Sequence, residues 1–228
     1  MSKNTKSSLI MTVLMLIVVA LYTVCVKVVD VAPIGPENSS VGFASINGPI
    51  ANALGYHESF YQISKVLGIF ALLFIVFFAI IALMQIVKRK GIFKADQHLY
   101  VLGVFYVLVG ITYLFFEKVI INYRPIIMDE GLEASYPSSH TVLALCVFVT
   151  AAMQLKAYDK TKKKFNIQSI ACIVCAVVMV VSRFLSGVHW FTDIIGGLII
   201  SAFLIMVYVT LLSVLADAIM KNKIDRIS

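Results

Sequence analysis

Charge is scarce in this sequence. Asp, Glu, Lys and Arg make up 14% of its 228 residues, against 61% hydrophobic ones, and the mean hydropathy is +0.96. Such a composition excludes an ordinary soluble core, and the bilayer is the solvent it suits. Acidic residues are the scarcer sign, 12 against 19 basic, for a net charge of +7. That balance does not point to nucleic acid, because the basic residues fall in short segments between apolar runs, not along one polar face. Only four cysteines are present. Cys25, Cys146, Cys172 and Cys175 all lie within or at the edge of apolar runs, where a thiol behaves as a small hydrophobe. Cys172 and Cys175 have the spacing of half a zinc site with no second half, so no metal or redox role is assigned to them. No small-x-small cleavage site follows the apolar run Leu9 to Val26, which is also long for a signal peptide; it is read as a retained first helix. There is no internal repeat and no low-complexity linker.

What is abundant is apolar runs long enough to span a membrane, about 20 residues each. Windows near 8–29, 60–87, 98–121, 139–155, 167–185 and 191–216 predict six transmembrane helices, an all-α bundle forming a single membrane domain over 1–228. Charge tests the count. With the N-terminus in the cytoplasm, the inner segments hold Lys3 and Lys6; Lys88, Arg89, Lys90 and Lys94; Lys156, Lys160, Lys162, Lys163 and Lys164; and Lys221, Lys223 and Arg226, which is 14 of the 19 basic residues. Lys27, Lys65, Lys118, Arg124 and Arg183 are left over. Both termini are therefore expected in the cytoplasm. The outer loop, about 30–59, carries three of the five prolines and the turn-forming string Gly35 to Ser40. Its second half, Val41 to Tyr56, is mildly apolar. An interfacial helix and an irregular surface loop are both open readings there.

Ionisable residues at the rim of a membrane domain are costly and mark candidate function. Three clusters qualify: Glu117 to Pro125 at the end of the third helix, Tyr136 to His140 at the start of the fourth, and Ser182 to Asp193 across the turn between the fifth and sixth. The topology puts all three at outer helix ends, so they can converge. Together they offer arginines, which match phosphate oxygens in a bidentate fork, and histidines, which attack phosphorus or carry protons. His189 and Asp193 are four apart and share a helix face. Asp193 could hold one imidazole nitrogen and leave the other free, or simply favour the helix dipole beside an interfacial histidine. Pro137-Ser138-Ser139-His140 opens a helix, where free N–H groups bind anions; capping by Ser138 explains the same residues. Arg124 could snorkel at the interface. Arg183 ends a strongly apolar helix on the side poor in basic residues.

These residues resemble the three-part signature of the type 2 phosphatidic acid phosphatase superfamily, which also contains vanadium haloperoxidases: K-x6-R-P, then P-S-G-H, then S-R-x5-H-x3-D. The third part is matched in full by Ser182, Arg183, His189 and Asp193, and the resemblance covers roughly residues 100–216. It implies His189 as the nucleophile forming a phosphohistidine, Asp193 orienting it, and His140 protonating the leaving group. Arg124, Arg183, Ser138 and the amides around Ser139 and His140 would bind phosphate, with no metal or cofactor. It also implies a substrate anchored in the membrane: phosphatidate, phosphatidylglycerophosphate or a polyprenyl diphosphate.

Two departures stand out. Seven residues before Arg124 the chain has Glu117 where the family has lysine. Lys118 is one residue out of register, and a bulge near Asn122 would be needed to bring it to the phosphate. Ser139 replaces the family glycine, at a cost if that position needs φ > 0 or a close backbone approach. A lipid phosphotransferase and an inactive, lipid-binding relative are the alternatives. The acidic run Asp129 to Glu133 is read as a solvated turn.

Overall fold

The computed structural model describes residues 1–128, 131–158 and 166–225, with the backbone alone for 222–224. Among these residues there is no strand, only seven α-helices: α1 (Lys3–Val28), α2 (Ala44–Leu54), α3 (Glu58–Lys88), α4 (Gln97–Lys118), α5 (Ser139–Tyr158), α6 (Ile167–Leu185) and α7 (Phe191–Ile224). All but α2 are long and apolar enough to cross a bilayer, so the all-α bundle of six spans expected from hydropathy is what forms. Helical spans follow from the solvent, since in hydrocarbon every backbone polar group must be satisfied within its own segment.

α5 is the axis of the bundle and touches α3, α4, α6 and α7. Of its most apolar window 56% is buried, against 6% for α1 at the periphery. This explains why α5 is the least hydropathic span: its buried positions include Thr141, Ala144, Cys146, Thr150, Ala151, Ala152 and Gln154, small or polar residues that suit helix contacts better than lipid contacts. Gln154 donates to the Tyr208 hydroxyl (2.6 Å) and Tyr106 meets Thr150 (3.2 Å), tying α5 to α7 and α4. The large exposed aliphatic residues of α1, α3, α4 and α6 form the surface that lipid covers.

Helix ends depart from the hydropathy windows where polar contacts, not apolar length, decide them. α1 begins at Lys3, not near residue 8, because the Ser2 side chain caps it by accepting from the Thr5 N–H (3.2 Å). α7 runs on past residue 216 as a polar final stretch. α4 ends at Lys118, three residues before the expected 121. There Lys27 of α1 donates to the carbonyls of Ile121 (3.1 Å) and Ile120 (3.5 Å), holding the chain where it leaves the helix. Of the two readings of Val41 to Tyr56, the helix holds, as α2. It is anchored by Asn47, which is buried and donates to Thr192 Oγ1 (2.9 Å) and the Gly42 carbonyl (2.8 Å) while accepting from the Thr192 N–H (3.2 Å). α2 therefore caps the first turn of α7.

The junction of α2 and α3 is clamped onto the turn between α6 and α7. The His57 N–H donates to the Ser186 carbonyl (3.1 Å), and Gly187, at φ +70°, lies so close that an added Cβ would sit 1.8 Å from the Gly55 carbonyl oxygen. Gly187→Ala is expected to destabilise the protein by about 3 kcal/mol or more, from the left-handed backbone and the collision together. The measurement is thermal unfolding in detergent, and an unchanged midpoint would contradict this role for the clamp.

Candidate active site

The clamp brings the site ends of α3, α5, α6 and α7 together with the loop after α4. That loop doubles back on itself: the Arg124 N–H donates to the Glu133 carbonyl (3.1 Å) and the Ser135 N–H to the Asn122 carbonyl (3.1 Å). Beyond it, the Ser138 N–H donates to the Asp193 carbonyl (3.1 Å), docking the start of α5 on the first turn of α7.

Asp193 is fully buried and accepts three hydrogen bonds. Asn122 donates to Oδ1 (2.9 Å); the Ser135 hydroxyl (2.5 Å) and the Trp190 N–H (3.0 Å) donate to Oδ2. The Trp190 bond caps α7, as the helix-start reading of Asp193 has it. His189 does not bond Asp193 directly, its Nδ1 being 3.9 Å from Oδ2. Ser135 bridges them, with its Oγ 3.0 Å from His189 Nδ1. Since the Ser135 proton goes to the carboxylate, Nδ1 carries the ring proton and donates to Ser135. His189 Nε2 is then a bare lone pair, buried and without a hydrogen-bond partner among the described residues. Burial, the charges of Arg183 and Arg124 and the neighbouring His140 hold this imidazole well below its ordinary value, hence neutral at neutral pH.

Arg183 is 1% exposed. One terminal nitrogen donates to Ser64 Oγ (3.2 Å), the guanidinium lies 5.3 Å from the centre of the Tyr61 ring, and its Nε has no partner among the described residues. Arg124 pairs with Glu133 (3.1 Å), and its Nε too is buried without a partner among the described residues. Among the described residues both guanidiniums keep an unused donor, and the charges of both weigh on the His189 imidazole. Ser138 occupies the cap of α5, its carbonyl accepting from the Val142 N–H (3.0 Å). Its Oγ accepts from Thr141 (3.0 Å), which leaves its own proton to donate. His140 packs on α3 at Gly68, where an added Cβ would come 3.2 Å from the ring. Ser139 is the first residue of α5 and has no positive φ, so the serine in place of glycine carries no backbone strain.

The structure thus brings together His189, Asp193, His140, Arg124, Arg183, Ser138 and Ser139. It does not bring Lys118, which is exposed at the end of α4 and shares no hydrogen bond or ion pair with the others among the described residues. The acidic run is only partly a solvated turn, since Glu133 pairs with Arg124; Asp129 and Glu130 lie outside the described residues. Sequence reasoning passed over Ser135, Asn122, Tyr61 and Ser64. Ser64 alone left a signal, a hydroxyl beside Lys65 in an otherwise apolar span. Among the described residues no three His, Cys, Asp or Glu side chains gather to hold a metal ion, Cys172 and Cys175 included.

A family model described as the PAP2 superfamily matches residues 69–216, from within α3 to near the end of α7. This chain belongs to the PAP2 superfamily. The PAP2 match starts upstream of the stretch on which the three-part signature rests and takes in most of α3. Among curated proteins, phosphatidylglycerophosphatase B of Bacillus subtilis (strain 168) is 33% identical over 82 residues, 36% of this chain. That match spans about two fifths of the curated relative, 39% of its length. Among solved structures, a transmembrane PAP2-type phosphatidylglycerolphosphate phosphatase from Bacillus subtilis superposes with a TM-score of 0.57 over 86% of this chain and 93% of its own, at 20% identity. At that identity the likeness concerns the PAP2 fold.

Proposed function

We propose that this integral membrane protein hydrolyses lipid phosphates or diphosphates through a phosphohistidine at His189. The observation that carries the reading is the bare, buried Nε2 of a neutral His189 whose other nitrogen is held through Ser135 to Asp193. The negative charge of the bound phosphate lets His140 take up a proton from water; Nε2 attacks phosphorus, the bond to the leaving oxygen breaks, and that oxygen takes this proton from His140. The phosphoimidazole gains positive charge, which Asp193 offsets through Ser135. Arg124, Arg183, Ser138 and the free first-turn amides of α5 hold the equatorial oxygens. Water then attacks phosphorus and gives its proton to the now neutral His140. Phosphate leaves with His189 restored. Cations of the chain meet all the charge that develops, so the reaction is proposed to be metal-independent.

Phosphatidate, phosphatidylglycerophosphate and polyprenyl diphosphates are the substrates proposed, because the site residues gather at helix ends, where a tail in lipid leaves the head within reach of the arginines. The test is phosphate release from these lipids by purified protein in detergent with EDTA present, beside His140→Ala, with and without an alcohol acceptor. Release by the wild type and its loss in the variant are expected. Equal release by both would end the assignment of His140, and phosphate appearing only on the acceptor would make the enzyme a phosphotransferase.

The site is proposed to face outward, both termini lying in the cytoplasm, on the strength of the basic inner segments. A cysteine placed at exposed Ile127 in a cysteine-free background should label with impermeant maleimide from outside intact cells. Labelling from the cytoplasmic side alone would reverse the orientation.

A further inference from the structure

Of the five basic residues outside the inner segments, four are accounted for: Lys27 holds the end of α4, Arg124 and Arg183 line the site, and Lys118 lies apart from it. Lys65 remains. It stands on α3 between Ser64, which accepts from Arg183, and Gly68, against which His140 packs. Its ammonium is 5.4 Å from the centre of the Tyr61 ring, the ring that also carries the Arg183 guanidinium at 5.3 Å. No carboxylate comes within ion-pair distance of it among the described residues; Glu58, two turns back, feels its charge but is bound to Tyr56 and Gln62. Yet Lys65 differs from Arg183 in one respect: Arg183 is sealed in the interior, and Lys65 is exposed.

Depth gives that exposure its meaning. The 31 residues of α3 extend about 46 Å against a hydrocarbon core of about 30 Å, so each end projects about 8 Å into the headgroup layer. Lys65, seven residues from the site end, lies about 10 Å in, about 2 Å inside the hydrocarbon edge, from where a lysine side chain snorkels to the headgroup layer in which lipid phosphates sit. An exposed ammonium in that region shares one aromatic ring with the buried arginine.

Building on the phosphatase reading, we infer that Lys65 and Tyr61 bind a second phosphate of the same substrate molecule, the one nearer the tail, so that the enzyme selects lipids with two phosphate groups over phosphatidate. The scissile phosphate seats against His189 Nε2 and Arg183. The remaining head passes Tyr61 on its way to lipid and meets Lys65. A phosphodiester bearing a terminal phosphomonoester fits this arrangement, as does a diphosphate. Phosphatidate has nothing to place there. Lysine chemistry thus returns to the site from α3, whereas α4 offers only Glu117 and the out-of-register Lys118.

The experiment measures kcat/KM for phosphatidylglycerophosphate and for phosphatidate of the same chains, at equal mole fraction in mixed micelles. It uses wild type, Lys65→Met and Lys65→Arg. The expected result is a fall of about 10- to 100-fold in the ratio of the two constants for Lys65→Met, the scale of one charge-assisted contact, and recovery of most of it by Lys65→Arg. An unchanged ratio, whether both constants fall together or neither does, overturns the inference and leaves the phosphatase reading standing. If the wild type hydrolyses neither lipid, that reading fails, and thermal melts with inorganic pyrophosphate and phosphate decide the inference separately. Extra stabilisation by pyrophosphate that Lys65→Met abolishes supports it; the same difference in both proteins overturns it.

Discussion

Replacing His189 with alanine is expected to lower kcat by about 10³-fold or more, the scale for removing an enzymic nucleophile, while KM for the lipid phosphate changes only a few-fold. The split follows from the geometry. The arginines, Ser138 and the amides of α5 bind phosphate whether or not His189 is there, whereas no other group in the site presents an unbonded nucleophilic nitrogen held on its far side by a carboxylate relay. His189→Gln, closer in volume, should behave the same, which separates lost chemistry from a cavity left in the core. Initial rates on one lipid phosphate suffice. A variant keeping a tenth of wild-type turnover would remove His189 from its role.

Asp193→Asn is expected to cost about 10³- to 10⁴-fold in kcat, by analogy with the loss when a histidine-orienting carboxylate becomes an amide. Two consequences meet in this substitution. The negative charge that offsets phosphoimidazole is gone. One of the two positions that now accept from Asn122, Ser135 and the Trp190 N–H becomes an NH₂ group, so the Ser135 hydroxyl and the His189 tautomer lose their fixed direction. The fold should tolerate asparagine, because Asn122 can turn its own amide to match. Asp193→Ala should not be tolerated as well, since it strands three buried donors at about 1–3 kcal/mol each. Steady-state rates beside thermal unfolding separate the two variants; an Asp193→Asn protein with near wild-type kcat would show that the relay is only a helix cap.

Much of this molecule was legible before any coordinates. Six spans appear as apolar windows because bilayer thickness fixes their length, and Arg183, His189 and Asp193 are legible because one turn holds them at fixed spacing. The ends of α1, α4 and α7 were not, since Ser2, Lys27 and the polar last turns of α7 set them through capping and contacts that hydropathy does not register. Ser135 and Asn122 escaped for a related reason. Each is a polar residue in a loop, with no periodicity, and acquires meaning only when the loop folds back over α7. Lys65 was visible as a charge in the wrong place, but its tie to Arg183 spans two helices packed side by side, a relation that spacing along the chain does not encode. Ser139 went the other way: a cost was expected there only if the position needed φ > 0 or a close backbone approach, and it is the first residue of a helix with no positive φ.

The central claim is that phosphate passes through His189. Mixing the protein with a lipid phosphate carrying ³²P in the scissile group, quenching within a turnover in alkaline detergent and mapping the label by mass spectrometry tests it directly. The account predicts alkali-stable, acid-labile label on His189, absent from His189→Ala. Label on any other residue, or phosphate release with no labelled protein at any time within the first turnover, would contradict it.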